Sequence, residues 1–300
     1  MGLFRPAWKS KNTDKALRAA QKLSEQSEIA LAAKNAHSSQ VRKAAIERLS
    51  DQKILREIAE HDPNFELCCA ALNRIDDIQF IIHLAHTHHA YFARQAAIKR
   101  IDDIPTLLSV IRNERDADVR EVAYAQIKDQ DILLSLAQQA GGLEKLQICN
   151  CMDDAALRAS CLKELAFPNK IDKLTKNKCN RILKGIIART TDQAIIIDVA
   201  ENAVNSDVCL NFIAAITDQD ILFRIAQNDP TWYIRRAAME MLTNEKQIAE
   251  IAKKDGANGN QALERLTDTE LIKEVENDAR YKEWKEQETR QIMHDTFYTD

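Results

Sequence analysis

Read only for apolar and polar positions, the chain repeats itself. The stretch LSDQKILREIAEHDP at residues 49–63 returns as ITDQDILFRIAQNDP at residues 216–230. Internal alignment gives a period of 26: Leu23, Leu49, Ile75, Ile101 and Ile127 share it, as do Asp51, Asp77, Asp103 and Asp129. The interval comes back from Asp192 to Asp218 and from Ile216 to Leu242. Each unit opens with V-R-x-A-A-x-x-x-L, written VRKAAIERL at 41–49, ARQAAIKRI at 93–101 and IRRAAMEML at 234–242. Val41, Ala44, Ala45 and Leu49 fall on one face of a helix. A Ser/Thr-Asp pair then precedes a second apolar run whose inward stripe is Ile54, Leu55, Ile58 and Ala59. The Asp is placed to accept the free N–H groups of a new helix. Pro105 falls in the first turn of such a helix, and Pro63 and Pro230 stand just after one, where a missing N–H is tolerated. Gly141, Gly142, Gly256 and Gly259 are expected between helices, with Gly185 the exception. The β-branched run AIIIDVA at 194–200 reads as a strand in isolation, but its register with Asp51 makes it helical.

The D-P phrase followed by V-R-x-A-A-x-x-x-L, as in NDPTWYIRRAAMEML at 228–242, resembles bacterial HEAT-like repeats. LREIAEHDP at 55–63 is also similar to the leucine-rich-repeat variant, and the resemblance covers roughly residues 15–278. It implies an all-α, right-handed α-α solenoid of about ten short helical-pair repeats, used mostly to bind other proteins. A unit of 26 is shorter than the HEAT unit of about 40, so the second helix is expected to be short and partly 3₁₀. The expected organisation is a cap or arm over 1–13, the array over 14–278 and a capping helix over 279–300. Leu3, Phe4 and Trp8 either fold back on the first repeat or stay out as a docking motif; Tyr281, Trp284 and Ile292 are expected to face the last repeat. The register breaks once: Asp129 to Asp192 is 63 residues, and the surplus falls around 166–178, read as an irregular inserted loop.

Composition narrows the classes. With 5% aromatics and 6 glycines among 300 residues, an all-β fold is disfavoured, and a net charge of −4 opposes general attraction to nucleic acid or membrane. No apolar run reaches the length of a membrane span and no secretory leader is read, so a cytoplasmic monomer is expected. The seven cysteines, Cys68, Cys69, Cys149, Cys151, Cys161, Cys179 and Cys209, contain no C-x-x-C pair and read as reduced core thiols.

Candidate chemistry is sparse. The Asp column is explained by capping. Arg42, Arg94, Arg120 and Arg235 hold the second repeat position, where the resemblance implies ties between neighbouring units; Arg48, Arg74 and Arg100 precede the capping Asp and are expected to pair with carboxylates. His83 and His86 are spaced i, i+3 and suit a transition metal poorly supported by their neighbours; no cofactor is expected. The segment 163–189 concentrates positive charge, with Lys170, Lys173, Lys176, Lys178, Arg181 and Lys184 as anion-binding candidates. Glu57, His83, Ser109, Ser135, Asp198, Arg224 and Glu250 share one exposed second-helix position and differ chemically, as a surface recognising one irregular partner does. The expected function is a non-enzymatic protein- or peptide-binding scaffold. The alternative is nucleic-acid or phosphate binding through 163–189, with a glycosylase-like activity, by likeness to HEAT-built DNA alkylpurine glycosylases, as a weaker option.

Overall fold

The computed structural model describes residues 6–167, 172–254 and 256–297. After a 3₁₀ turn at Ala7–Lys9 the helices run α1 (Thr13–Gln21), α2 (Gln26–Asn35), α3 (Ser39–Ile46), α4 (Gln52–His61), α5 (Phe65–Leu72), α6 (Ile78–Thr87), α7 (Tyr91–Ile98), α8 (Ile104–Asn113), α9 (Ala117–Gln126) and α10 (Gln130–Gln139). They continue as α11 (Gly142–Cys151), α12 (Ala155–Lys163), α13 (Lys173–Arg189), α14 (Gln193–Asn202), α15 (Ser206–Ile213) and α16 (Gln219–Asn228). The last five are α17 (Trp232–Met241), α18 (Glu245–Lys254), α19 (Gly256–Glu264), α20 (Thr269–Asn277) and α21 (Ala279–Phe297). Among the described residues there is no strand.

The chain divides into two compact units, Met1–Ile132 and Leu133–Asp300. In the first, the odd-numbered helices α1 to α9 pack in succession as one layer, and each even-numbered helix folds tightly onto the odd helix that follows it. In the second, α11 to α21 make the odd layer, with α12 on α14 and α18 on both α16 and α20 in the even layer. Each unit is therefore an all-α stack of solenoid type. Its core is the seam between layers, where Leu49, Leu55, Leu67, Ile75, Ile81 and Leu107 are all inaccessible to solvent.

The capping Asp sets the period. Asp51 accepts from the N–H groups of Lys53 and Ile54, Asp77 from Gln79 and Phe80, and Asp218 from Asp220 and Ile221. Even helices accordingly start at Gln26, Gln52, Ile78, Ile104 and Gln130, and again at Gln193, Gln219 and Glu245, 26 apart within each run.

Helix lengths differ from the sequence expectation. The second helices α4, α6 and α8 are regular α-helices of 10 residues, whereas the first helices α3, α5 and α7 have only 8. The 3₁₀ character lies at the end of the first helix instead. Arg48 N–H bonds to Ala45 O and Leu49 N–H to Ile46 O, both at 3.1 Å, tightening the last turn and carrying Leu49 into the core. Ile46 is buried as a result, while Ala44 is only half-buried.

The second Arg column explains why these helices stop. Arg48 donates to the carbonyls of Ala20 (2.7 Å) and Leu23, one period earlier; Arg100 donates to Leu72 and Ile75 (2.7 Å), and Arg74 to Leu49 (3.4 Å). In the second unit Arg265 repeats the arrangement on Met239 and Leu242 (2.7 Å). Their partners are thus orphan carbonyls at the end of the preceding first helix, not carboxylates, which is where a cation is favoured by the helix dipole.

Glycine placement also departs from expectation. Gly142, at φ 55°, enters α11, as a residue without Cβ can. Gly256 opens α19, and Gly259 lies inside that helix, where an added Cβ would sit 2.9 Å from the Ala252 carbonyl oxygen of α18. Close helix approach, not a loop, is its reason.

The register break is resolved in the second unit. Asp154 caps α12, accepting from Ala156 and Leu157 N–H, only 25 residues after Asp129, so the whole surplus lies between Asp154 and Asp192. From residue 173 onward it is not a loop. It extends the first helix of that repeat: α13 has 17 residues and is capped by Asp172.

Candidate partner-binding surfaces

The second-helix column lies on the outside, but much of it is engaged. In the first unit Glu57 on α4 reaches Lys34 on α2 at 2.6 Å, while His83 is exposed and Ser109 half-buried. In the second unit Ser135 is exposed, Asp198 meets Lys163 at 2.8 Å and Arg224 meets Glu201 at 2.6 Å. Glu250 holds Lys253 at 2.7 Å, and the same buried ammonium donates to Glu274 on α20 at 2.6 Å. The chemical variety of this column thus serves partly to clip adjacent second helices together.

Around the histidine cluster, His83 and His86 are exposed. His88 is buried, its Nε2 at 3.2 Å from Glu60 O and its Nδ1 accepting the Ala90 N–H at 3.1 Å. Burial, then the neighbouring His89, holds its ionisation below the ordinary value, so the neutral ring donates on one side and accepts on the other. The described residues hold no group of three or more His, Cys, Asp or Glu arranged for a metal.

A cleft of about 250 Å³ opens beside it, lined by His86, His88, Arg94, Asn113, Glu114 and Arg115. Arg94 occupies the second repeat position. Its Nε donates to Glu114 at 2.6 Å, its Nη2 to the other carboxylate oxygen at 3.2 Å, and its Nη1 to the carbonyls of His88 and His89. Burial pulls the Glu114 carboxyl upward, but hydrogen bonds from Arg94 and the Asp116 N–H outweigh it and hold the group below its ordinary 4.5. Arg120 and Arg235 likewise bond the two carbonyls that lead into their own helices, at Glu114/Arg115 and Asp229/Pro230. Cys209 takes this role where Arg is missing, its thiol 3.1 Å from Ala203 O.

The basic candidates resolve into one helix face. Lys170 lies outside the described residues. Lys176 pairs with Asp207 at 3.1 Å and Lys178 is half-buried with a partner of its own. Lys173, Arg181 and Lys184 are exposed on the side of α13 opposite its buried Cys179, Ile182 and Ile186. Leu174, next to them, is 79% exposed.

The chain matches no family model and no curated protein sequence. Among solved structures, one described as "Computational Design of Self-Assembling Cyclic Protein Homooligomers" aligns over 94% of this chain and 95% of its own at 17% identity. Its TM-score is 0.11, too low to carry an argument.

The surface that sequence reasoning missed is aromatic. Phe65 and Tyr91, each the first residue of an odd helix and 26 apart, are 54% and 55% exposed. Phe92 sits between them edge-on, its ring centroid 5.7 Å from Phe65 and 5.9 Å from Tyr91, so three rings form one patch across α5 and α7. In the second unit the same register position is Trp232, 54% exposed and edge-on to Tyr233 at 5.7 Å. The signal was present as aromatic residues recurring at one repeat position; their exposure, a tertiary property, was not.

At the ends, Trp8 is buried and donates its indole N–H to Glu28 at 3.1 Å, while Leu3 and Phe4 lie outside the described residues. Tyr281 of α21 is buried with Trp284 at 6.1 Å; the side chain of Ile292 lies outside the described residues.

Proposed function

We propose that the chain is a non-enzymatic scaffold that binds a protein or peptide partner where the first helices α5 and α7 of its first unit begin. The observation that supports this reading is the recurrence of half-exposed aromatic rings at that one register position. An exposed Phe, Tyr or Trp gives up its apolar surface to water, and the same residue types form the energetic centres of protein interfaces. In the first unit the second-helix column adds His83 as an exposed polar side chain, while its ion-paired members stiffen the framework. Lys173, Arg181 and Lys184 on α13 favour a second reading, attraction of nucleic-acid phosphates along a solvent-facing helix.

One experiment separates the two. The full chain is used as bait in a native extract, with and without nuclease, beside a Phe65→Ser/Tyr91→Ser variant and a Lys173→Glu/Arg181→Glu variant. A stoichiometric protein that survives nuclease and is lost only with the aromatic variant, at unchanged thermal stability, is the expected result. Recovery that depends on nucleic acid and on the basic residues would replace the scaffold reading with the second one. Recovery of nothing stoichiometric would remove the first.

A further inference from the structure

The cleft beside His88 lies between the C-terminal ends of α6 and α8, with Arg94 of α7 in its wall. Its volume of about 250 Å³ falls below the roughly 300–1,000 Å³ of small-molecule sites, so it fits one side chain and not a cofactor. Most of its polar groups are already spent. Glu114 gives both oxygens to Arg94, at 2.6 and 3.2 Å, and one of them also accepts the Asp116 N–H at 2.8 Å. His88 uses both ring nitrogens, on Glu60 O and the Ala90 N–H. Asn113 has committed one amide proton to Ser109 O at 2.8 Å and keeps the other. His86 and Arg115 line the same cleft, are exposed, and make no side-chain hydrogen bond or ion pair with any described residue.

Formal charge points to an anion. Arg94 and Glu114 cancel, which leaves the Arg115 guanidinium uncompensated. Helix ends oppose this, since α6 and α8 bring the negative ends of their dipoles here. That opposition is already answered: Arg94 donates to the carbonyls of His88 (2.9 Å) and His89 (3.2 Å), and Arg120 to those of Glu114 (3.0 Å) and Arg115 (3.1 Å). A free guanidinium presents a planar fork that meets one carboxylate through two hydrogen bonds. A phosphate would bring a second negative charge beside Glu114, with no second free arginine in the lining to meet it.

The cleft is continuous with the aromatic patch. Its wall residues His88 and Arg94 bracket Tyr91 and Phe92 in sequence, and Tyr91 and Arg94 are i, i+3 on α7, neighbours on one helix face. We propose that the partner of this edge is an acidic segment: an Asp or Glu side chain enters the cleft and pairs with Arg115, with His86 and Asn113 as further donors, while an apolar side chain close to it covers Phe65, Tyr91 and Phe92. This rests on the scaffold reading above and adds the partner's chemistry. The partner carboxylate does for Arg115 what Glu114 does for Arg94.

The test pans a random peptide library displayed on phage over the full chain and measures resynthesised binders by fluorescence anisotropy. Expected are sequences with Asp or Glu within about two residues of Trp, Phe or Leu, the spacing that keeps both on one face of an extended chain. Arg115→Ala, and separately exchange of the peptide carboxylate for its amide, should each weaken binding about 3- to 10-fold, and the two together no further. Arg115→Glu should lose more than Arg115→Ala and recover with a peptide that carries Lys in place of its acid. The Arg115 side chain bonds to no described residue, so these variants should melt with wild type. Peptides that lose binding with Phe65→Ser/Tyr91→Ser, but lack an acid and ignore Arg115→Glu, would overturn the cleft and leave the scaffold reading standing. Peptides indifferent to both sets of variants, or a library that enriches nothing, would remove both.

Discussion

At the scale of single residues, Arg94 shows how much one side chain can close. Its guanidinium satisfies both oxygens of Glu114 and two carbonyls at the end of α6, with 15% and 8% of the two side chains exposed. Removing one partner from such a buried pair leaves the other charge uncompensated, which typically costs about 3–5 kcal/mol. Glu114→Gln keeps an acceptor and should cost less, about 1–3 kcal/mol by urea unfolding at pH 7. The sign with pH follows from the direction of the shift. Glu114 ionises below its ordinary 4.5 in the folded chain, so its contribution is present above that value and is lost as pH falls through the folded one. Wild type should therefore lose stability more steeply than Glu114→Gln on acidification below about pH 5; equal slopes would mean that Glu114 carries no linkage. The sequence made the Arg column legible, since it recurs at one repeat position. It did not reveal the acceptors, because backbone carbonyls have no letter.

Among elements, the period was readable and the lengths were not. Every helix start needs its free N–H groups satisfied, and a side chain that does so must be Asp, Asn, Ser or Thr, so the Asp column marks the starts of the second helices. Ends are set by whatever covers the last carbonyls, here Arg48, Arg100 and Arg265 from one repeat later, which is tertiary information. A second ladder went unread although it was in register: Gln26, Gln52, Gln193 and Gln219 all directly follow the cap position. Gln52 donates to Arg74 O at 3.1 Å and accepts the Asp76 N–H at 3.0 Å; Gln26 does the same to Arg48 O and Ser50 N–H one repeat earlier. Each amide thus fastens a second helix to the loop of the next repeat. Ile78 and Ile104 stand in the same column, so a rung is dispensable to folding but not free of cost. Gln52→Ala should destabilise by about 1–2 kcal/mol, two net hydrogen bonds, measured by chemical denaturation; Gln52→Glu, which keeps the acceptor and loses the donor, should fall between. A change below a few tenths would remove the ladder from the energetics.

For the molecule as a whole, a fastening scheme whose partners recur at one period implies that whole periods are interchangeable. Deleting residues 52–77 removes α4 and α5, leaves Asp51 to cap α6 in place of Asp77, and returns Ile46 and Leu49 to Arg100 in place of Leu72 and Ile75. The cap and the Arg clasp at the new junction then have the chemistry of existing ones, while Lys34 loses Glu57 and meets the His83 position instead. The shortened chain should fold, keep its helical fraction, and show a denaturant slope lower by about a tenth, in proportion to the surface no longer exposed on unfolding. Deleting residues 52–64 instead removes α4 alone and brings two first helices into succession. The next helix then arrives in the wrong layer, with Arg74 half a period from its carbonyl at Leu49. That chain should lose cooperative unfolding and bind a hydrophobic dye. The comparison reads the period itself: if the half-period deletion unfolds as cooperatively as the full-period one, the caps, Arg clasps and Gln rungs do not set the stacking, and the apolar seam alone suffices.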